Sequence, residues 1–193
     1  MIDIHSHLIP EFDDGPKSFD ESLKMLQIAE EQGITDVFAT SHFQEIIPPQ
    51  MEEDYLVKLE ELQNRAAAMD LTVNIHSGGE LFYHEQLEET GGSILGHFGK
   101  DIQKVSLYLL KNKLVQFIAS DAHTTTGRTF VLKNVYDFLE DEISEEYLEE
   151  LLILNPRKII NREVVEKPEL PESEPESGFL SRLRNRFKVS DSS

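Results

Sequence analysis

The segment MIDIHSH at residues 1–7 decides how the rest of the chain is interpreted, because an apolar run ends there in two histidines. Side chains two residues apart on a β-strand point to the same face, so His5 and His7 are expected side by side at the strand end. Two imidazoles in this arrangement are typical of a metal site. Two unrelated histidines at an exposed strand end are the alternative if the motif stands alone.

Three further segments repeat the pattern of an apolar run followed by a potential metal ligand: DVFATSH at 36–42, VNIHSGGE at 73–80 and VQFIASDAH at 115–123. Within and around them the sequence predicts strands over 1–7, 36–42, 72–76 and 114–119. A first helix starts at the capping box of Ser18 and Glu21. Further helices are predicted over 54–69, 101–111, 128–140, 144–152 and 156–160.

This alternation of strands and helices predicts an α/β fold with parallel strands and outer helices, either a barrel or an open doubly wound sheet. In both folds functional groups gather at the C-terminal ends of the strands. The candidate ligands lie at those ends or in the turns that follow. They are His5, His7, Asp14, His42, Glu80, Asp121 and His123.

This ligand set contains nitrogen and oxygen donors without sulfur, which suits Mn²⁺, Fe²⁺ or Zn²⁺. The set is larger than one ion needs, and clustered ions can activate water and hold a phosphoryl group for in-line attack. For single members a structural explanation stays open. Asp14 is also explained as a turn residue before Gly15, and Glu80 as a solvated loop charge.

Composition limits the size of the fold and the choice of partners. With 193 residues, of which 39% are hydrophobic, the chain can bury one core and carry appendages. A formal net charge of -19 argues against a nucleic-acid partner, because a polyanion would be repelled over most of the surface. The absence of cysteine removes disulfides and thiolate ligands, and it is compatible with the cytoplasmic location that we expect.

The composition changes near the end of the sequence. Residues 163–177 are acidic and rich in proline, which predicts a linker between a folded domain over 1–162 and a tail over 178–193. Residues 178–189 have the pattern of a short basic amphipathic helix. Such a helix can lie on an anionic membrane, dock on an acidic partner or fold back on its own domain. A frayed tail explains the pattern equally well.

Six motifs together carry a family resemblance: HSH at 5–7, FDDG at 12–15, ATSH at 39–42, GGE at 78–80, GSILGHFG at 92–99 and IASDAH at 118–123. They resemble the polymerase-and-histidinol-phosphatase (PHP) superfamily and, within it, the bacterial manganese-dependent tyrosine-protein phosphatases of capsule and exopolysaccharide regulation. The resemblance runs from Met1 to about Asn161. It implies an α/β barrel related to the TIM barrel and phosphotyrosine as substrate, notably on the tail of a cognate bacterial tyrosine kinase.

The resemblance also implies roles for single residues. Two or three ions, with Mn²⁺ expected, would be bound, and Arg128 matches a position where such enzymes bind the substrate phosphate with an arginine. A guanidinium suits phosphate oxygens, although an ordinary charge in the first turn of a helix is the alternative. The implied catalytic residues are Asp121, His123 and Arg128. The implied ligand sets are His5, His7, Glu80 and Asp121 for one ion, and Asp14, His42 and His123 for another.

The sequence departs from the family pattern between the GGE and GSILG motifs. Family members carry further strand–helix units there, with a metal-binding glutamate and a His-Pro-Glu-Arg motif, and neither motif occurs here. We therefore interpret the junction at 89–92 as an internal deletion that leaves an incomplete barrel with reduced activity. Unpaired strand edges in such a barrel favour self-association.

Two alternatives to a tyrosine phosphatase stay open. One is a catalytically inactive relic that acts as a metal-binding or protein-interaction module. The other is a PHP phosphoesterase for a small phosphomonoester.

Overall fold

The structure, a computed structural model, describes residues 1–43, 49–81 and 91–166. The predicted basic tail, most of the predicted linker and the first part of the 89–92 junction lie outside these residues. Residues 163–166, the described start of the linker, form no helix or strand. None of the described helices is both long and apolar enough to cross a membrane.

A parallel sheet places the candidate ligands. Within the described ranges its strands are β1 (Ile2–Ser6), β2 (Asp36–Phe43) and β3 (Asn74–Leu81), in the order β1-β2-β3. All pairings are parallel, so the three C-terminal ends meet at one edge of the sheet. There His42 lies directly opposite Glu80. The predicted α/β class with parallel strands is therefore confirmed.

The predicted fourth strand over 114–119 is wrong, because the structure shows no continuous strand there. Ala119 is a single bridge residue, and an isolated parallel bridge joins Ser6 to Ala122, with His7 N–H donating to the Ala122 carbonyl at 2.8 Å. One reason is local: the Asp3 carboxylate accepts the Ser120 N–H at 3.2 Å, where a strand would offer a backbone carbonyl. The described residues form a small open sheet, and a closed barrel is not seen among them.

The helices follow the predicted order with shifted boundaries. The first, α1, begins after Ser18, whose hydroxyl accepts the Glu21 N–H at 3.3 Å, as the capping box predicts. The Glu21 carboxylate returns a bond to the N–H of Lys17 rather than to that of Ser18. The helices are α1 (Phe19–Glu31), α2 (Pro49–Ala68), α3 (Gly91–Ile94), α4 (Lys100–Lys111), α5 (Leu132–Leu139), α6 (Glu145–Glu149), a π-helical turn (Glu150–Leu154) and α7 (Asn155–Ile160).

Two helix predictions need correction. The helix predicted over 54–69 begins at Pro49 and ends at Ala68, and Leu56 on it is 50% exposed. The helix predicted over 128–140 begins only at Leu132. Arg128 consequently lies in a loop and not in the first turn of a helix.

The core lies between the sheet and the helices. Leu26 of α1, Val37 of β2, Leu62 of α2 and Leu132 of α5 are fully buried there. Burial of large aliphatic side chains contributes roughly 1.5–3 kcal/mol each, so this layer holds the strand ends in register. The candidate site lies at the edge of this rigid layer, where β1, β2 and β3 end.

Candidate metal centre

His7 is the buried centre of the site. Its ring is shielded from solvent, and its Nδ1 lies 2.8 Å from Asp13 Oδ2. Burial opposes ionisation of Asp13, but hydrogen bonds from His7 and from backbone N–H groups lower the pKa of this carboxyl to about 2. An ionised Asp13 accepts a hydrogen bond from the Nδ1–H group of His7. In this tautomer the free lone pair of the imidazole is on Nε2. That atom faces Glu80 Oε2 at 3.2 Å.

Glu80 brings together imidazoles from two strands. Its Oε2 atom lies 3.4 Å from His5 Nε2, 3.2 Å from His7 Nε2 and 3.1 Å from His42 Nδ1. The parallel register produces this meeting, since β1 and β3 flank β2 and His42 faces Glu80 across the sheet. His5, His7 and Glu80 form one group whose ligand atoms all lie within 4.8 Å of one another.

Asp14 forms a second group with the same buried histidine. Its Oδ1 atom lies 3.2 Å from His42 Nε2 and 3.3 Å from His123 Nε2. Ligand atoms of His7, Asp14, His42 and His123 also lie within 4.8 Å of one another. The two groups share His7, whereas the family resemblance implied separate sets. All of the predicted ligands are thus brought to one place, and their assignment to individual ions stays a prediction.

Asp121 contacts both groups of ligands and also Arg128, which lies in the loop after it. Its Oδ1 atom is 3.4 Å from His5 Nε2 and 3.4 Å from His123 Nδ1, while Oδ2 accepts the Arg128 guanidinium at 2.7 Å. The backbone of Asp121 has a φ of +56°, in the left-handed region that a residue with a side chain rarely adopts. Such strain clusters at functional sites, because the surrounding contacts must hold it in place.

The electrostatics of the cluster favour cation binding. Burial opposes ionisation of Asp121, yet hydrogen bonds from His5 and Arg128 hold the pKa of this carboxyl below its usual value. Burial and the neighbouring His7 lower the pKa of His123, so its imidazole is neutral at pH 7. A neutral imidazole beside ionised carboxylates is the protonation state that a metal ligand needs.

Arg128 is the cation at the rim of the cluster. It is half exposed, and its second guanidinium nitrogen lies 3.5 Å from Asp14 Oδ2. Its backbone carbonyl accepts the N–H groups of His123 and Thr124 at 2.8 and 3.0 Å, which closes the loop after Asp121. The loop therefore presents the guanidinium beside both groups of ligands, where it can reach an anion bound to them.

Two buried imidazole nitrogens show that these residues fit a metal centre. His7 Nε2 and His123 Nε2 are buried and have no hydrogen-bond partner among the described residues. Buried polar atoms almost always have a partner, so two such nitrogens facing carboxylates fit a site that binds a cation. The hydrogen bond of His123 Nδ1 with the Asp121 carbonyl at 2.9 Å fixes the direction of its Nε2.

Two carboxylates that organise the site are not among the residues predicted from the sequence. Asp13 adjoins the predicted ligand Asp14 and orients His7, as described above. Asp3 is fully buried and accepts the N–H groups of His5 and Ser120, and burial raises its pKa to about 6 against the opposing effect of these bonds. A signal for Asp3 was present, because it lies two residues before His5 on the same strand face.

A parallel α/β sheet with a histidine and carboxylate cluster at the strand ends defines the class of the protein: an α/β protein with a candidate centre for more than one metal ion. Comparison with family models then identifies the family. The chain belongs to the family described as "Capsular polysaccharide synthesis, CpsB/CapC", whose model matches residues 1–91 and 90–161.

Relatives in this family carry phosphatase names. The chain is 26% identical over 242 residues to the putative tyrosine-protein phosphatase CapC of Staphylococcus aureus, covering 86% of this chain and 94% of CapC. It is 24% identical over 245 residues to the tyrosine-protein phosphatase YwqE of Bacillus subtilis, covering 89% and 96%. Identity to the tyrosine-protein phosphatase CpsB of Streptococcus pneumoniae is 24% over 243 residues, covering 86% and 100%.

A solved structure shares the fold. It comes from the crystallographic study of YwqE from Bacillus subtilis and CpsB from Streptococcus pneumoniae, which names them unique metal-dependent tyrosine phosphatases. The match has a TM-score of 0.77 at 21% identity and covers 90% of this chain and 100% of the other.

The alignments also bear on the junction near residue 90. The family match falls into two parts that meet at residues 90–91. The alignment to CapC spans 242 residues and is longer than the 193-residue chain. This chain therefore lacks residues that CapC has.

Proposed function

We propose that this chain is a metal-dependent protein-tyrosine phosphatase of the capsular polysaccharide system. The observation that carries the proposal is the convergence of two overlapping ligand groups on the buried His7, with Arg128 at their rim. A centre of this kind with a guanidinium at its rim suits an anionic, hydrolysable substrate, and a phosphomonoester meets both conditions. The phosphatase names of the family relatives support phosphotyrosine as that substrate.

Each residue has a defined task in this proposal. The ions would be held by His5, His7 and Glu80 and by His7, Asp14, His42 and His123, with Asp121 beside both groups. When bound, such ions supply Lewis acidity toward the phosphoryl group and an activated water.

The remaining tasks belong to the chain alone. Arg128 binds phosphate oxygens through its planar guanidinium, which can donate two parallel hydrogen bonds. Asp13 holds His7 in one tautomer, and the Asp121 carbonyl does the same for His123. The strand ends and the loops bonded to them hold these groups in place before substrate arrives, which is how phosphoryl transfer is accelerated when positioning and charge neutralisation dominate.

The finer expectations belong to the same proposal. They are Mn²⁺ as the ion, two or three ions per chain, a bacterial tyrosine kinase as the phosphorylated partner and the cytoplasm as the location. The organisation into a domain over 1–162, a linker over 163–177 and a tail over 178–193 is likewise proposed. These expectations rest on the family resemblance, the donor chemistry of the cluster and the composition of the chain.

A second candidate function follows from the shortened sequence. We infer that the residues missing relative to CapC fall at 90–91, where the two matched parts meet. A site without the ligands and the arginine of that segment would bind metal and turn over slowly, or would bind metal alone as an inactive relic. Each lost transition-state donor lowers the rate by about 10²–10³-fold.

One experiment tests the proposal and separates it from the relic. Metal content is measured by elemental analysis, and hydrolysis of p-nitrophenyl phosphate and of a phosphotyrosine peptide is measured across added Mn²⁺. We expect bound metal and metal-dependent hydrolysis, both lost in Asp121→Asn. The control Asp137→Asn changes a half-exposed carboxylate on α5 and leaves both unchanged. Bound metal without hydrolysis supports the relic, and metal-independent hydrolysis contradicts both functions.

A further inference from the structure

A cleft of about 270 Å³ lies beside the metal-ligand cluster. Asp121 and Arg128 line it, which connects it to the centre described above. The same cleft is lined by apolar groups, namely Phe98, Val131 and the bare backbone of Gly92. A cavity of about 150 Å³ with apolar walls is enough to hold benzene. The cleft is thus large enough for one aromatic ring next to the guanidinium.

Phe98 is the unusual member of this lining, because its side chain is 55% exposed although it is large and apolar. It lies in the turn between α3 and α4, where Gly96 and Gly99 have φ values of +80° and +99°. Side chains are strained at such angles, so the two glycines allow a turn that presents Phe98 outward. The turn is stabilised by Gln103, whose side-chain amide donates a hydrogen bond to the Ile94 carbonyl at 3.0 Å.

Gly92 sets the position of the Phe98 ring. A Cβ atom added at Gly92 would lie 3.0 Å from Phe98 Cε2, closer than ordinary van der Waals contact. The ring therefore lies against the backbone of α3 and depends on the absence of a side chain there. A ring held by backbone on one side and open to the cleft on the other is a preformed surface for a planar group.

We propose that Phe98 is a specificity-determining residue that packs against the aromatic ring of the substrate while Arg128 binds its phosphate. This inference rests on the proposed phosphatase function and adds to it a reason for choosing an aryl over an alkyl phosphomonoester. A tyrosine ring fills the cleft and contacts Phe98, whereas the short side chain of phosphoserine leaves the cleft to water. Aromatic pairs of this kind favour binding by about threefold to tenfold beyond simple burial.

The test uses two unreactive probes, phenylphosphonate and methylphosphonate, and measures their dissociation constants by calorimetry on the full Mn²⁺-loaded chain. Wild type is expected to bind the phenyl probe more tightly. Phe98→Ala should lower this preference by about threefold to tenfold and leave methylphosphonate binding unchanged. Gly92→Ala should lower the preference as well, because it displaces the ring, whereas Phe98→Tyr should retain it. Leu56→Ala, a matched exposed apolar change on α2, should have no effect.

The outcomes separate this inference from the function on which it rests. If wild type binds both probes equally, or if Phe98→Ala weakens the binding of both probes alike, the proposed role of Phe98 is refuted. The proposed binding of phosphate by Arg128 is unaffected by that result. If wild type binds neither probe, the aryl cleft and the phosphatase function fail together.

Discussion

Replacing Arg128 by alanine separates its catalytic role from its structural one, because the two roles predict effects of different size. Its guanidinium lies 2.7 Å from Asp121 and 3.5 Å from Asp14, but the side chain is half exposed. An exposed ion pair contributes at most about 1 kcal/mol to folding. Loss of one donor to the developing charge of a phosphoryl group lowers kcat by about 10²–10³-fold, equivalent to about 2.7–4 kcal/mol. We therefore expect a large loss of rate with a small change in Tm.

The same substitution also predicts the direction of the change in metal affinity. Arg128 competes with a cation for the carboxylates of Asp121 and Asp14, so its removal should leave Mn²⁺ affinity unchanged or raise it. The assay is kcat/KM on a phosphotyrosine peptide together with metal titration. Arg65→Ala is the control, since Arg65 is a similarly exposed arginine paired with Glu61 on α2. A loss of rate below tenfold, or one that parallels a loss of bound metal, would refute the phosphate-binding role.

Three further predictions follow from the contacts. Asp13→Ala should weaken metal binding by about 10–100-fold in a metal titration, because His7 loses the partner that orients it. Asp36→Asn should lower the free energy of unfolding by about 2 kcal/mol at pH 7. Burial opposes ionisation of Asp36, but hydrogen bonds from His76 and other groups lower the pKa of this carboxyl. The stability that ionised Asp36 contributes is therefore lost as pH falls below about 4, the ordinary carboxyl pKa, and the melting curves of wild type and Asp36→Asn should converge below that pH. Inserting the corresponding CapC segment between residues 90 and 91 should raise kcat/KM at least 100-fold, and equal rates for both chains would show that the missing segment is functionally silent.

The parts of the site that the sequence predicted are those in which a local pattern determines the position of a side chain. Alternation on β1 puts His5 and His7 at one strand end, and the apolar run of β2 puts His42 at the matching level of the next strand. Parallel strands then bring these ends together without further information. Local pattern was sufficient here because His5, His7 and His42 each belong to a regular strand or follow one directly.

Local pattern failed where a carboxylate replaces backbone pairing. The apolar run before Asp121 predicts a strand, yet the structure holds this segment by the Asp3 side chain and by two backbone bonds to β1. The sharing of His7 between two ligand groups is equally invisible in the sequence, because it depends on the distances between three strand ends. Spacing along the chain predicts which residues gather at an edge, whereas it does not determine how they divide among ions.

The junction at residue 91 shows how the fourth segment keeps its place without a strand. Gly91 N–H donates to the Ala119 carbonyl at 2.8 Å, so α3 begins directly on the segment that leads to Asp121. A Cβ atom at Gly91 would lie 2.8 Å from Val131 Cγ2, which means that α3 reaches this position only because residue 91 has no side chain. This contact and the backbone bonds to His5 and His7 together hold Asp121 and His123 beside the metal-ligand cluster. The predicted ligands therefore stay assembled at the edge of a three-stranded sheet among the described residues, so we expect a loss of rate to come from the missing segment.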